Sequence, residues 1–285
     1  MNQVGLIGYP VSHSLSPIMQ QAAFDKLKID ACYILWETPK DQLTVKINSL
    51  RSPDIMGANI TIPYKENVLH LVDDCDPFAA RIGAINTIVN RNGRLFGYNT
   101  DAPGFITALL ELEDHPFECA GKNVVILGTG GAARAAVVGL VDKGVGGILL
   151  VGRTETQLQK ILQDVEALTA NSTTLLKGAL FGDSDVTASL PQTDLVVNAT
   201  PVGLKPDDLT LLIDVDTLPT SAVVMDMIFN PPLTPLLRSA KAHGCQIMNG
   251  LSMLLYQGAL AFELWTSCPA PIQVMQRALG ILKES

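Results

Sequence analysis

A chain of 285 residues at 47% hydrophobic content can bury a sizeable core, as one large domain or two modest ones. Its net charge of −8, without any run of Lys or Arg, argues against a nucleic-acid or anionic-membrane partner. Five scattered cysteines with no C-x-x-C spacing, and four histidines with no metal-spaced pair, argue for a reducing compartment and against a disulfide framework or a bound metal.

The first residues show no signal-peptide pattern and no apolar stretch reaches the length of a membrane span, so the expectation is a cytoplasmic protein. Val4 to Ile7 reads as a short strand ending at Gly8-Tyr9-Pro10. A polar loop follows, and Ser16-Pro17 is expected to open a helix as N-cap and N1, with Ile18, Met19, Ala22, Ala23 and Leu27 at helical spacing. Cys32 to Trp36 reads as the second strand and Gln42 to Leu50 as the second helix. Gly57 to Ile62 alternates until Pro63 stops it; Asn67 to Val72 and Pro77 to Ile82 read as short helices. Ala84 to Asn90 and Arg94 to Tyr98, linked through Asn92-Gly93, carry a hairpin signal. A helix is expected from Gly104 to Leu112.

From Gly121 a more regular alternation begins. The apolar run Val124 to Leu127 is short enough for a buried strand, and it breaks into Gly128, Thr129, Gly130 and Gly131 before Ala132 opens helix-forming sequence. Read as G-x-G-x-x-A, with Ala133 in the third small position, this is the dinucleotide fingerprint in its required context of strand and helix. The glycines permit a tight turn and let a pyrophosphate approach the N–H groups at the helix start. A glycine-rich turn without a ligand is the plainer reading, but so many glycines weaken an ordinary turn through backbone entropy. Ile148 to Val151 (strand) and Thr156 to Leu168 (helix) follow, then strands near Leu175 to Leu180, Leu195 to Asn198, Val223 to Met227 and Gln246 to Met248. Helices Leu251 to Trp265 and Pro271 to Leu282 close the chain. The pattern is α/β in two domains, the second a doubly wound parallel sheet, with a boundary near Asp101 to Gly104.

Polar residues gather in the first hundred positions. Asn59-x-Thr61-x-Pro63-x-Lys65 places an amide, a hydroxyl and an ammonium at odd positions, which face one side if the chain stays extended. Ser14 and Ser16 come from the first loop, Asn86-Thr87 from the next strand, and Asn99-Thr100-Asp101 from the end of the hairpin. Such groups, converging, suit a polyhydroxylated substrate, with a Lys and an Asp for proton transfer. Taken singly, each is better read as a cap or a solvated lysine; their joint occurrence beside a cofactor domain shifts the balance to the site.

The stretches G-Y-P-V-S-H-S-L-S-P (8–17), G-A-N-I-T-I-P-Y-K (57–65), G-A-I-N-T-I-V (83–89), G-Y-N-T-D (97–101), G-T-G-G-A-A-R-A (128–135), N-A-T-P-V-G-L (198–204), D-M-I-F-N-P-P-L-T-P-L-L (226–237) and M-L-L-Y-Q-G-A (253–259) resemble the shikimate/quinate dehydrogenase family in order and spacing. The resemblance covers nearly the whole chain. It implies an N-terminal substrate domain, residues 1–103 completed by C-terminal helices 251–285, and a Rossmann-type domain over 104–250. It also implies an oxidoreductase interconverting 3-dehydroshikimate and shikimate with a nicotinamide cofactor, in the chorismate route to aromatic amino acids. Lys65 is then the general acid/base at the reacting hydroxyl, and Asp101 hydrogen-bonds the substrate and orients or tunes the lysine. Ser14 and Ser16 hold the substrate carboxylate, and Asn59, Thr61, Asn86 and Gln257 line the pocket. The turn Gly128 to Ala132 holds the cofactor, and Thr200, Met227, Gly250 and Met253 border its nicotinamide half.

Three departures from the family pattern stand out. Gln20-Gln21 replaces the common His-Asn, with no functional change attached to it. Phe229 stands where a tyrosine hydroxyl often helps bind the carboxylate, and losing such a charge-assisted hydrogen bond costs roughly 1.5–3 kcal/mol unless another donor substitutes. Gly152-Arg153-Thr154-Glu155-Thr156-Gln157 replaces the usual Asn-Arg-Thr-x-x-Arg. An NAD site places an acidic residue at that strand end to hold the ribose hydroxyls. Here Arg153 and Thr154 stand there instead, and an arginine can pair with a 2′-phosphate, so NADP is the expected cofactor and NAD the alternative. Quinate is the alternative substrate, and a non-catalytic NADP-binding sensor is the reading from another class. A small molecule is the expected ligand, and the chain is expected to be a monomer or homodimer.

Overall fold

The computed structural model describes residues 1–112, 115–169, 172–205 and 207–282. The chain divides into two compact units, Met1–Gly104 with Leu254–Ser285, and Phe105–Met253.

The first unit holds a six-stranded mixed sheet formed by β1 (Asn2–Gly8), β2 (Ala31–Glu37), β3 (Ile55–Ile60), β4 (Asp74–Cys75), β5 (Thr87–Arg91) and β6 (Arg94–Tyr98), in the order β2-β1-β3-β5-β6-β4. β1 runs parallel to β2 and β3, whereas β5 pairs antiparallel with β3 and β6. Asn92 at φ 54° and Gly93 at φ 83° supply the two positive dihedrals that the tight β5–β6 turn needs. Between the strands lie α1 (Ser16–Lys26), α2 (Leu43–Ser49) and α3 (Pro77–Ile82), and α4 (Asp101–Leu110) follows the hairpin.

Several boundaries differ from the sequence reading for local reasons. Leu15, not Ser16, occupies the N-cap of α1; Ser16 is already helical and its N–H donates to Ser14 Oγ at 3.2 Å. The expected helix Asn67 to Val72 is a short 3₁₀ turn over Asn67–His70. α4 begins at Asp101 rather than Gly104, because Asn99 Oδ1 accepts from the N–H groups of Asp101 and Ala102 and so caps the helix early. Strand β4 was not anticipated: two residues within an acidic run carry no alternation to read.

The second unit is a fully parallel sheet of β7 (Asn123–Leu127), β8 (Gly147–Gly152), β9 (Leu175–Leu180), β10 (Leu195–Asn198), β11 (Val223–Asp226) and β12 (Gln246–Met248). Its order β12-β11-β10-β7-β8-β9 reverses direction beside β7, which makes the gap between the carboxyl ends of β7 and β10 the switch point where such sheets bind ligands. β10 and β11 are buried at every position, as strands covered on both faces must be. The helices are α5 (Gly131–Asp142), α6 (Glu155–Thr169), α7 (Ser184–Ser189) and α8 (Pro235–His243). The last two escaped the sequence reading. The signal for α8 was present in Thr234-Pro235: Thr234 Oγ1 accepts from Leu237 N–H and the proline lies in the first turn.

Two further helices, α9 (Leu251–Thr266) and α10 (Ile272–Ala278), end the chain. Their apolar residues Leu255, Phe262, Trp265 and Met275 join Met19, Phe24 and Tyr33 in a core on one face of the first sheet, while Ile47, Leu50, Ile60, Ile85 and Ile88 fill the other. Among the described residues no helix is long and apolar enough to cross a membrane.

Candidate active site

Two loops at the ends of β1 and β3 are pressed together. Tyr9 N–H donates to Ile62 O at 3.1 Å and Thr61 N–H to Ile7 O at 2.9 Å, and a Cβ on Gly8 would collide with Thr61 Cγ2. Glycine is therefore required where these loops meet, and the contact brings the segment carrying Ser14 and Ser16 against the one carrying Thr61. Ser14 and Thr61 are half-buried and Ser16 is buried.

The extended conformation that would set Asn59, Thr61 and Lys65 on one side does not persist to Lys65. β3 stops at Ile60, Pro63 offers no N–H for a ladder, and Tyr64 N–H turns back to Thr61 O at 3.0 Å. Asn59, Thr61 and Lys65 consequently do not lie in one row. The turn instead delivers Lys65 to Asp101, with Nζ 2.7 Å from Oδ2. Asp101 opens α4, where a carboxylate is favoured by the helix dipole, and its side chain is only 7% exposed against 21% for Lys65. Its other oxygen, Oδ1, accepts from Asn86 Nδ2 at 2.9 Å.

Asn86 is the hub of this network. Its Oδ1 accepts from Thr100 N–H at 2.7 Å, and its Nδ2 also faces Thr100 Oγ1 at 2.9 Å and Gln257 Oε1 at 3.3 Å. Gln257 reaches it because α9 crosses α4 closely: a Cβ on Gly104 would lie 2.6 Å from Gln257 N. Asn59 joins from β3, donating from Nδ2 to Asn86 O at 3.2 Å and to Thr87 Oγ1 at 3.1 Å. Its Oδ1 accepts from the Tyr33 hydroxyl at 2.8 Å. Burial pushes the Tyr33 phenol far above the usual tyrosine range, so it stays a neutral donor. Thus Asn59, Lys65, Asn86, Asp101 and Gln257 share one hydrogen-bonded cluster.

In the second unit the fingerprint turn follows β7. Gly128 takes φ +115°, a conformation that favours glycine, with Ala199 O and Thr200 Cγ2 just over 3 Å from where its Cβ would stand. Gly130 is the extended N-cap of α5, and a Cβ on Gly130 or Gly131 would meet nothing within 4 Å. The backbone at the helix start is thus open to a phosphate-sized anion. Thr129 packs its methyl against Gly152, and Ala132 is half-buried in the first turn. Arg153 and Thr154, both exposed, leave the end of β8, which carries no acidic residue.

The remaining cofactor-side positions lie after β10, β11 and β12. Thr200 Oγ1 donates to Asn198 Oδ1 at 2.7 Å and accepts from Val202 N–H at 3.1 Å, fixing the turn after β10. Met227 N–H donates to Asn198 O at 3.0 Å, and Gly250 approaches Met227 so closely that a Cβ would collide with its carbonyl. Met253 is buried in the first turn of α9. Phe229 is half-buried in the loop after β11 and belongs to the second unit, whereas the Asn86 cluster belongs to the first. An open glycine turn at a helix N-terminus, followed by an arginine at the next strand end, fits a phosphorylated dinucleotide.

The model of the shikimate dehydrogenase substrate-binding domain matches residues 6–88, and that of the shikimate 5'-dehydrogenase C-terminal domain matches residues 250–279. A shikimate dehydrogenase (NADP(+)) of Desulforamulus reducens is 40% identical over 276 residues, 96% of this chain and 93% of the relative. The chain belongs to the shikimate dehydrogenase family. A solved member from Listeria monocytogenes, in complex with shikimate and NAD, matches with a TM-score of 0.89 at 33% identity, covering 98% of this chain and 96% of that one. A 5-ketofructose reductase from a Gluconobacter strain matches with a TM-score of 0.85 at 31% identity over 98% of both chains. The architecture of shikimate dehydrogenases, an N-terminal substrate unit and a Rossmann-type nucleotide unit, is that of this chain.

Two groups of residues gained a place that sequence reasoning had not given them. Tyr33 reads in the sequence as an ordinary core position of a strand, and only the fold brings its hydroxyl to Asn59. Asp226 and Thr234 lie within a stretch quoted for the family resemblance but were given no role. Asp226 is fully buried, accepting from Ile228 N–H at 3.0 Å and from Thr234 Oγ1 at 2.7 Å, and it braces the loop that carries Met227 and Phe229.

Proposed function

We propose that this chain catalyses the reversible NADPH-dependent reduction of 3-dehydroshikimate to shikimate, a step of aromatic amino-acid biosynthesis that accords with a cytoplasmic location. The observation that carries the reading is the Lys65–Asp101 pair, 2.7 Å apart and anchored from behind by Asn86. The reduced nicotinamide, when bound, supplies the hydride. Lys65 Nζ gives a proton to the substrate oxygen as the carbonyl becomes a hydroxyl, and takes it back in the reverse direction. Asp101 holds that ammonium in place while Asn86 keeps the carboxylate from rotating.

Around this pair, Ser14 and Ser16 meet the substrate carboxylate, and Asn59, Thr61, Asn86 and Gln257 address its ring and hydroxyls. Gly128 to Ala132 hold the pyrophosphate, Arg153 and Thr154 the adenosine phosphate, and Thr200, Met227, Gly250 and Met253 border the nicotinamide. No metal is required, because the lysine proton balances the charge of the hydride transfer.

Initial rates with shikimate and quinate against NADP and NAD, followed by the absorbance of the reduced nicotinamide, test the reading. The highest kcat/KM is expected for shikimate with NADP. Turnover of quinate or 5-ketofructose without turnover of shikimate would replace it.

A further inference from the structure

We propose that Tyr33 is a positioning residue of the substrate site: its hydroxyl fixes the Asn59 amide so that Oδ1 accepts a hydrogen bond from a ring hydroxyl of the substrate. This rests on the reading of shikimate as substrate.

The polarity of the network follows from one atom. Asn86 O is a carbonyl and can only accept, so the Asn59 atom 3.2 Å away must be the amide nitrogen. That nitrogen has two hydrogens, and Thr87 Oγ1 at 3.1 Å receives the second, across the register that sets Asn59 opposite Thr87. Oδ1 therefore faces Tyr33, and the phenol at 2.8 Å must be the donor. Asn59 has no N–H left to offer a ligand; its remaining capacity is the second lone pair of Oδ1. The group it reads is consequently a donor, a hydroxyl rather than a ketone or carboxylate.

Tyr33 is built to hold this arrangement. It is 7% exposed, its N–H donates to Gln21 Oε1 at 3.1 Å, and its ring lies 6.3 Å from that of Trp265. Trp265 in turn donates to Ile88 O at 3.0 Å, next to the strand position facing Asn59. Tyr33 is thus tied to α1 through its backbone N–H and packed against α9 through its ring, which fixes the approach of its hydroxyl to Asn59. Without it, Oδ1 loses its protein donor and the amide is held from the Nδ2 end alone.

Tyr33→Phe removes the hydroxyl and keeps the ring. KM for shikimate is expected to rise roughly tenfold, as for one lost hydrogen bond. The shifts in kcat and in KM for NADP should stay small. The Tyr33 side chain also hydrogen-bonds that of Ser16, so in an Asn59→Ala background adding Tyr33→Phe should raise the shikimate KM by clearly less than it does in the wild type, because Tyr33 acts chiefly through Asn59. An unchanged KM in Y33F, an equal increment in both backgrounds, or a parallel rise in both KM values would each overturn the proposal. Wild-type protein that fails to turn over shikimate would overturn the functional reading and this proposal with it; wild-type turnover with an unmoved Y33F overturns this proposal alone.

Discussion

Lys65 and Asp101 meet at 2.7 Å through one carboxylate oxygen, while the other oxygen of Asp101 is held by Asn86. The carboxylate is therefore fixed at both ends, and the lysine is the more open member, with the freedom to meet a substrate oxygen. Replacing Lys65 by Ala should lower kcat by roughly 10²–10⁴-fold, the usual worth of a positioned acid/base. Cofactor affinity, measured by fluorescence titration with NADPH, should stay close to wild type. Wild-type turnover in this variant would remove Lys65 from the chemistry.

Arg153 follows the last residue of β8, next to the glycine turn through the Thr129–Gly152 contact. As the charged group at that strand end it is expected to select for the 2′-phosphate. Arg153→Ala should reduce kcat/KM with NADP about tenfold, the lower range for a hydrogen bond to a charged group given the exposure of the side chain. Rates with NAD should change little. Equal losses with both cofactors would show that Arg153 does not discriminate between them.

Parts of this architecture are legible in the sequence because backbone requirements are local. Asn92-Gly93 and Gly128 announce turns whose positive φ values the structure shows, and the short apolar runs from β7 to β12 mark a buried parallel sheet. The clustering of polar residues was legible only as composition. Asn59, Thr61 and Lys65 share a face only while the chain stays extended, yet β3 ends at Ile60 and Lys65 reaches Asp101 through a turn that begins at Thr61. The hub role of Asn86 needs the pairing of β3 with β5 and the close crossing at Gly104. Tyr33 could not be singled out, since an inward tyrosine in a strand is by default a core residue and its partner is 26 positions away.

By the family resemblance Phe229 stands at a position where a tyrosine hydroxyl is expected, and its loop is braced by Asp226 through Ile228 N–H and Thr234. Phe229→Tyr should lower the KM for shikimate if the ring faces the substrate carboxylate, since a charge-assisted hydrogen bond is worth roughly 1.5–3 kcal/mol. Initial rates of both proteins over a range of shikimate concentrations read this directly. An unchanged KM would place the ring away from the carboxylate.

Asp226 gives a pH dependence whose sign can be worked out. Burial raises its carboxyl above the ordinary aspartate value, against the opposing hydrogen bonds from Ile228 N–H, Thr234 and Asn198. The folded protein therefore favours the protonated form. Its stabilising contribution is fully present below the unfolded-state value and is lost as pH rises through the elevated folded-state value. Asp226→Asn removes this titration while keeping an amide oxygen that can accept from Ile228 N–H. The difference in Tm between D226N and wild type should accordingly shift in favour of the variant as pH rises from below the carboxylate range through that window, then level off above it. Thermal unfolding of both proteins across acid to neutral pH measures this difference. A difference that stays constant with pH would mean that Asp226 titrates alike in the folded and unfolded chains, and that its burial does not govern its charge.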